Sequence, residues 1–132
     1  MKFNSLIPEL SVSNIQNSIK FYTDLGFHVV YERKADKFAF LELEENQLMI
    51  EEINEHWNTG PLEYPFGRGI NLSMTVSDVK KMAKRIKKKG YPLFLDVETH
   101  SYMVDGTLYE DQEFLIQDPD GYLLRFTDAS SN

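Results

Sequence analysis

Two segments of the chain place apolar residues at the spacing of a helix. In chain order, these apolar positions are Ile15, Ile19 and Tyr22, and then Val79, Met82, Ala83 and Ile86. Such spacing puts the side chains on one side of a helix. An N-cap residue, Asn14 or Asp78, precedes each segment, and a glycine, Gly26 or Gly90, follows it. The pattern predicts two helices that each bury one face.

Apolar and polar residues alternate in several runs after each helix, which is typical of half-buried strands. The predicted strands are residues 26–33, 37–44 and 47–53 in the first half and 91–97, 113–118 and 122–128 in the second. Residues 98–112 show no regular pattern and are predicted to be irregular. The tetrapeptide DPDG (118–121) fits a type I turn that leads into the last strand.

The two halves are copies of one another. VSNIQNSIKFYTDLGFHV (12–29) aligns without a gap to VSDVKKMAKRIKKKGYPL (76–93), and a short strand precedes the helix in each copy. Each copy predicts a βαβββ module, and the chain is predicted to be an α+β protein with mainly antiparallel sheets. We expect a single domain over residues 1–132, with module one at about 5–53, a linker at 54–68 and module two at about 69–128.

The repeat also predicts which side chains share a face of each sheet. Leu10 and Val12 lead into the first helix and pack beneath it, so Glu9 lies on the opposite face. In the last strand of each module, Glu51 and Arg125 occupy equivalent positions on that opposite face. A face of mixed polar character is typical of a lined cavity rather than of a dry core.

Charge and composition narrow the classes of function. The chain has 21 acidic and 14 basic residues and a formal net charge of -7, which disfavours nucleic acid as a partner and favours a cationic ligand. Cysteine is absent, which removes thiol chemistry and fits a reducing compartment. No stretch approaches the roughly 20 apolar residues of a membrane span. We expect a cytoplasmic protein that binds neither membranes nor nucleic acid.

The remaining motifs give no catalytic pattern. The basic run KKMAKRIKKK (80–89) fits the exposed face of an amphipathic helix. His28, His56 and His100 lack the spacing of metal ligands, and no cofactor fingerprint is present. The residues therefore predict no metal and no cofactor.

Paired modules with VSNIQNSIKFYTDLGF near the start and DPDGYLLRF near the end resemble the vicinal oxygen chelate superfamily. The longer pattern LIPELSVSNIQNSIKFYTDLGF, DKFAFLELEENQLMIEE, GRGIN and QEFLIQDPDGYLLRF is similar to the glyoxalase-like bleomycin resistance proteins. The resemblance covers nearly the whole chain. It implies a homodimer that sequesters an antibiotic without transforming it.

Metalloenzymes of the superfamily place metal ligands at four positions, two in each module. The resemblance and the repeat carry these positions onto Ile7, Glu51, Asn71 and Arg125. Glu51 alone is a strong ligand for a divalent ion, and a guanidinium repels one. We therefore expect no metal and hypothesise that Arg125 pairs with Glu51, within a chain or between chains.

The resemblance also implies ligand-binding residues. Phe38 matches the phenylalanine that stacks on the flat tail of bleomycin, although an aromatic strand residue is equally typical of a sheet core. The family places a tryptophan before the strand that leads to the Asp-Pro turn, whereas this chain has Tyr109 and Glu110 there. Tyr109 or Tyr102 is expected to supply the second stacking surface. The only tryptophan of the chain, Trp57, lies in the predicted linker and is a further candidate.

The sequence thus predicts a non-catalytic homodimer that sequesters a bleomycin-like or related planar, cationic antibiotic. In the family, a short arm that ends near a proline exchanges between subunits, and residues 1–8, ending at Pro8, are expected to do the same. Two alternatives stay open. One is a metal-dependent lyase, isomerase or dioxygenase with other ligands, and the other is a binder of an unrelated metabolite.

Overall fold

The computed structural model describes residues 1–130, so the end of the predicted 1–132 domain lies outside the described part. The first half contains β1 (Glu9–Val12), α1 (Ile15–Leu25), β2 (His28–Arg33), a single 3-10 turn (Lys34–Asp36), β3 (Phe38–Leu43) and β4 (Asn46–Glu52). The second half contains β5 (Asn71–Thr75), α2 (Val79–Lys88), β6 (Leu95–Val104), β7 (Thr107–Gln117) and β8 (Leu123–Ser130). Both halves have the predicted βαβββ order, which confirms the α+β class.

The described chain divides into two compact units. The first unit contains residues 1–66 together with the turn at 118–121, and the second contains residues 67–117 and the strand that begins after Tyr122. The linker therefore belongs to the first unit up to Phe66. No helix between residues 1 and 130 is long and apolar enough to cross a membrane.

Each unit contains a four-stranded mixed sheet with the same strand order. The first sheet runs β1-β4-β3-β2 and the second β5-β8-β7-β6. In each sheet the first strand is parallel to its neighbour, and the other pairs are antiparallel. The duplication seen in the sequence is thus a duplication of sheet topology.

The two faces of the first sheet differ as the sequence predicts. Leu10, Val12 and Ile50 are buried on the face that α1 covers. Glu9 and Glu51 lie on the other face, because side chains alternate along a strand. In the parallel pairing of β1 with β4, Ser11 lies opposite Glu51 and Glu9 lies two positions earlier, so the two glutamates are diagonal neighbours.

Polar side chains fix the start of both helices. The side chains of Asn14 and Asp78 accept hydrogen bonds from Asn17 N and Lys81 N, as predicted for N-caps. A carboxylate from the last strand of each unit adds a second contact: Glu52 accepts from Ile15 N at 3.0 Å, and Asp128 accepts from Val79 N at 2.7 Å. Gly26 ends α1 with φ 118°, the left-handed conformation that favours glycine.

We expect Glu52→Gln to lower the free energy of unfolding at neutral pH by about 0.5 to 1 kcal/mol, because a charged cap becomes neutral. The backbone N–H of Ile15, and then the ammonium of Lys37, hold the pKa of Glu52 below its usual range. A lowered pKa stabilises the fold above the ordinary glutamate pKa and loses that contribution as pH falls through the lowered value. Chemical denaturation at pH 7 and pH 3 should show the difference from wild type shrinking in acid. The exposed Glu63→Gln variant is the control, and an equal loss in that variant would contradict the cap.

The prediction that residues 98–112 are irregular is wrong. These residues form most of a long hairpin in which β6 pairs with β7. Asp105 and Gly106 make the turn with φ of 49° and 80°, as a two-residue Asp-Gly hairpin requires. The Asp-Gly pair was the sequence signal for this hairpin. Apolar and polar residues alternate only weakly on either side of it, so the two strands were not recognised.

The DPDG turn is confirmed and is anchored in the first unit. Gly121 N donates to the Asp118 carbonyl at 2.9 Å, which closes the turn. Both aspartates are buried. Tyr22 Oη donates to Asp118 Oδ2 at 2.7 Å, and Ser13 N donates to Asp120 Oδ2 at 3.1 Å. These contacts tie the turn to helix α1 and to the residue that follows β1.

Candidate functional site

A cleft of about 530 Å³ opens on the first unit. It lies between the end of β2, the end of β4 and the segment that follows β4. Its lining residues include Glu9, Arg33, Lys37, Glu51, Asn54 and Trp57. The structure thus brings two predicted site residues, Glu51 and Trp57, to one place. We call this hollow the acidic cleft.

Of the four carboxylates that line the acidic cleft, Glu9 and Glu51 give it its negative character, because Asp36 and Glu52 pair with cationic side chains. Neither Glu9 nor Glu51 forms an ion pair within 4 Å among the side chains that the structure describes. Asn54 Nδ2 donates a hydrogen bond to Glu51 Oε1. Burial, and then the charge of Glu51, raise the pKa of Glu9, and the nearby Arg33 opposes this rise. Because its pKa is raised, the ionised form of Glu9 is not fully stabilised by its surroundings, and a bound cation would stabilise it.

The two cationic side chains of the cleft are already engaged. Lys37 Nζ lies 3.1 Å from Glu52 Oε1. The Arg33 guanidinium lies 3.5 Å from Asp36 Oδ2 and sits over the ring of Phe38, with Cζ 3.9 Å from the ring centroid. These contacts leave Glu9 and Glu51 to face the open space.

Phe38 lies in the sheet core and is covered. Its side chain is 2% exposed, and Tyr31 packs against it with ring centroids 5.9 Å apart. Because Arg33 occupies one ring face, a flat ligand reaches that face of Phe38 only when the guanidinium moves. The ligand contact that the sequence predicts for Phe38 stays a prediction, and it requires this displacement.

Trp57 is the exposed aromatic side chain of the acidic cleft. It is 65% exposed in the segment after β4. An exposed indole beside two carboxylates offers a stacking surface and a negative field to the same ligand. Trp57 therefore provides in this structure the accessible ring that Phe38 does not.

The predicted aromatic residues of the second unit lie on the long hairpin. Tyr102 and Tyr109 face each other across β6 and β7, with ring centroids 5.8 Å apart and an angle of 18° between the rings. Both are about half exposed. Glu110 follows Tyr109 on β7, so its side chain points to the opposite face of the hairpin. The hairpin thus brings the two tyrosines together and separates Glu110 from them.

Arg125 has a partner other than the one predicted. Its Nη2 lies 2.8 Å from Glu113 Oε2 on the neighbouring strand, and Nε donates to the same oxygen at 3.1 Å. Nη1 donates to Asn71 Oδ1 at 3.2 Å. Within the chain, therefore, Glu113 neutralises Arg125, and the predicted pairing with Glu51 is wrong. The register placed Arg125 on the correct face but did not identify Glu113 as its partner. Pairing of Arg125 with Glu51 between two chains stays a prediction.

The four positions that carry a metal in the superfamily's enzymes do not fit one here. Ile7 offers no donor atom, and the Asn71 oxygen already accepts a hydrogen bond from the permanent cation of Arg125. Between residues 1 and 130, no group of three or more His, Asp or Glu side chains is arranged to hold a metal ion. Glu51 remains the single strong donor of the four.

The N-terminal arm makes contacts with its own sheet. Phe3 packs edge-on against Phe40 with ring centroids 5.4 Å apart. Asn4 N donates to Gln47 Oε1 at 2.7 Å, and Gln47 Nε2 donates to the Lys2 carbonyl at 2.8 Å. The exchange of residues 1–8 between subunits stays a prediction.

Glu9 and Arg33 are among the residues of the acidic cleft that were not identified as site residues from the sequence. The repeat placed Glu9 on the polar face, and this was the available signal for it. Arg33 carried no signal, because its contact with Phe38 depends on the pairing register of β2 with β3.

Comparisons with known proteins identify relatives of the chain. The family model for the Glyoxalase/Bleomycin resistance protein/Dioxygenase superfamily matches residues 3–126. A glyoxalase/bleomycin resistance protein/dioxygenase superfamily member from Vibrio splendidus 12B01 is 33% identical, over 91% of this chain and 94% of its own, with a TM-score of 0.44. No protein of curated function matches significantly.

Two further solved structures are similar in fold. One is a glyoxalase/bleomycin resistance protein/dioxygenase from Alicyclobacillus acidocaldarius, 22% identical over 97% of this chain and 92% of its own, with a TM-score of 0.67. The other is TioX from Micromonospora sp. ML1, 17% identical over 96% of this chain and 98% of its own, with a TM-score of 0.74. Because the family model covers nearly the whole chain, the protein belongs to the Glyoxalase/Bleomycin resistance protein/Dioxygenase superfamily.

Proposed function

We propose that the protein binds and sequesters a planar, cationic small molecule without transforming it, and that a bleomycin-like antibiotic is the ligand. The observation that carries this proposal is the acidic cleft, where Glu9 and Glu51 lack ion-pair partners among the described residues and the exposed Trp57 forms part of the lining. A cation gains electrostatic stabilisation from the carboxylates, and its flat part gains contact area on the indole.

The residue types at the four metal positions support a binding role rather than an enzymatic one. Ile7 and Arg125 contribute no metal donor, so an enzyme of this superfamily would need a different ligand set. The bleomycin-resistance-like pattern of the sequence supports an antibiotic as the ligand. In keeping with that pattern, we propose that the protein acts as a homodimer in the cytoplasm.

The single tryptophan makes the proposal directly testable. Titration with metal-free bleomycin, and then with its copper complex, should quench Trp57 fluorescence saturably at about one ligand per chain. In calorimetry, Trp57→Ala should weaken binding about tenfold, since stacking on one aromatic ring contributes roughly 1 kcal/mol or more.

The matched control is Phe94→Ala, which removes another exposed aromatic side chain, at 60% exposure, outside the acidic cleft. This variant should bind as wild type does. If neither form of the drug binds, the proposed ligand is wrong. Stoichiometric metal in protein purified without chelator, with an activity lost on chelation, would favour the enzymatic alternative.

A further inference from the structure

A row of side chains crosses the polar face of the first sheet, and two members of the row, Arg33 and Glu51, line the acidic cleft. Arg33 on β2 lies opposite Phe38 on β3, and Phe38 lies opposite Glu51 on β4. Directly opposite residues of antiparallel strands point to the same face. A guanidinium, an aromatic ring and a carboxylate therefore stand side by side, and Glu9 is the diagonal neighbour of Glu51 on β1.

The contact between Arg33 and Phe38 is the contact that a flat cationic ligand would make. The guanidinium is itself a planar, delocalised cation, and its Cζ lies 3.9 Å from the ring centroid of Phe38. Its charge also opposes the rise in the pKa of Glu9 that burial and Glu51 cause. The chain thus already places a planar cation of its own on the ring and near the carboxylates.

A ligand can displace the Arg33 side chain that covers the ring of Phe38. The Arg33 side chain is 50% exposed, whereas Phe38 beneath it is 2% exposed. A cation over an aromatic ring at an exposed site contributes roughly 0.5 to 1 kcal/mol. Asp36 lies 3.5 Å from Arg33 Nε and offers the displaced side chain a partner. Moving Arg33 off the ring therefore costs little.

We propose that Arg33 is a built-in competitor that determines the specificity of the acidic cleft. A ligand with a flat, delocalised cation displaces the guanidinium and takes its place on Phe38, beside Glu51 and Glu9. Ligands without such a group leave Arg33 in position and gain no access to the ring. This inference rests on the proposed function and refines it, because it names the ligand group that binds at Phe38.

The test uses a small probe as well as the drug. Methylguanidinium is titrated into wild type and into Arg33→Ala, and the ring resonances of Phe38 are followed by NMR. The variant should bind the probe saturably at millimolar concentration, with shifts at Phe38 that wild type does not show over the same range. Metal-free bleomycin should bind the variant about two- to fivefold more tightly than wild type, because the competitor is gone.

Lys34→Ala removes the same charge one residue further along the chain and should show neither gain. Equal gains in both variants would assign the effect to overall charge and overturn the inference. Failure of methylguanidinium to bind Arg33→Ala would also overturn it, whatever the drug does. If the probe fills the variant but bleomycin binds no form of the protein, the inference stands and the proposed ligand is wrong.

Discussion

Replacing Gly121 by alanine should lower the free energy of unfolding by about 3 kcal/mol or more. Gly121 has φ of +93°, which strains any residue with a Cβ. An added Cβ would also lie 2.5 Å from Pro65 Cβ and 2.6 Å from Pro65 Cα, and the second of these is a backbone atom that cannot rotate away. The turn and the segment before Phe66 would have to separate. Chemical denaturation followed by circular dichroism measures the loss.

Variants at two other glycines distinguish the cost of backbone strain from the cost of a steric clash. Gly106 has φ of +80° but no atom within 4 Å of the added Cβ, so Gly106→Ala should cost only about 1 kcal/mol. An added Cβ at Gly60 meets no atom within 4 Å, and Gly60 lies outside the left-handed region of φ, so Gly60→Ala should be near neutral. Equal losses in the variants at positions 121 and 106 would show that the close approach to Pro65 contributes nothing.

The DPDG turn illustrates a limit of local sequence reasoning. Its four residues predict a turn by themselves, and the structure confirms it. Its burial depends instead on Tyr22 and Ser13, which lie 96 and 107 positions away from the aspartates they bind. No local pattern contains such partners. The same tetrapeptide on another scaffold would be an exposed turn.

The fold was largely predictable because the same pattern of residues occurs twice in the chain. Caps at Asn14 and Asp78, helical apolar spacing and alternating strands agree with one another in both copies, and such agreement across levels specifies a fold. The long hairpin was missed because only the Asp-Gly turn signals it. Around that turn, Tyr102, Met103, Leu108 and Tyr109 are all exposed to a substantial degree, so no alternation of buried and exposed positions reveals the strands.

The site was predictable only where it follows from strand register. The repeat places Glu51 on the polar face, and the structure finds it in the acidic cleft. For Arg125 the same register gave the face but not the partner, Glu113, which lies on the neighbouring strand β7. Phe38 shows the converse case. Its position matches a ligand-contacting position in the similar family. Arg33 covers its ring, however, and nothing in the sequence connects Arg33 with Phe38.

The largest effect on binding is expected at the two carboxylates of the acidic cleft. Glu9→Gln and Glu51→Gln should each weaken binding of a planar cation about tenfold, and the double variant about 100-fold, because each charged contact contributes roughly 1.4 kcal/mol. Glutamine keeps the size of the side chain and removes its charge. Calorimetric titration with metal-free bleomycin measures the affinities, and Glu63→Gln, an exposed glutamate outside the cleft, is the control.

Glu9→Gln should weaken ligand binding but raise the free energy of unfolding. Burial and the Glu51 charge raise the pKa of Glu9, so this residue stabilises the fold when protonated and loses that contribution as pH rises through the raised value. At pH 7 the ionised side chain is therefore a liability that the neutral glutamine removes. We expect an increase of roughly 0.3 to 0.5 kcal/mol, since the site is largely open to solvent. The gain should vanish below the ordinary glutamate pKa.

The opposite effects of Glu9→Gln on ligand affinity and on stability distinguish a binding site from a structural feature. A cation stabilises ionised Glu9, so affinity should be constant above the raised pKa and fall as pH drops through it. In Glu9→Gln this part of the pH dependence should disappear, although the protein is more stable than wild type. A purely structural carboxylate would lose stability on neutralisation and leave affinity unchanged. A stability lowered by Glu9→Gln, or an affinity independent of Glu9 across this pH range, would remove the acidic cleft from the proposed function.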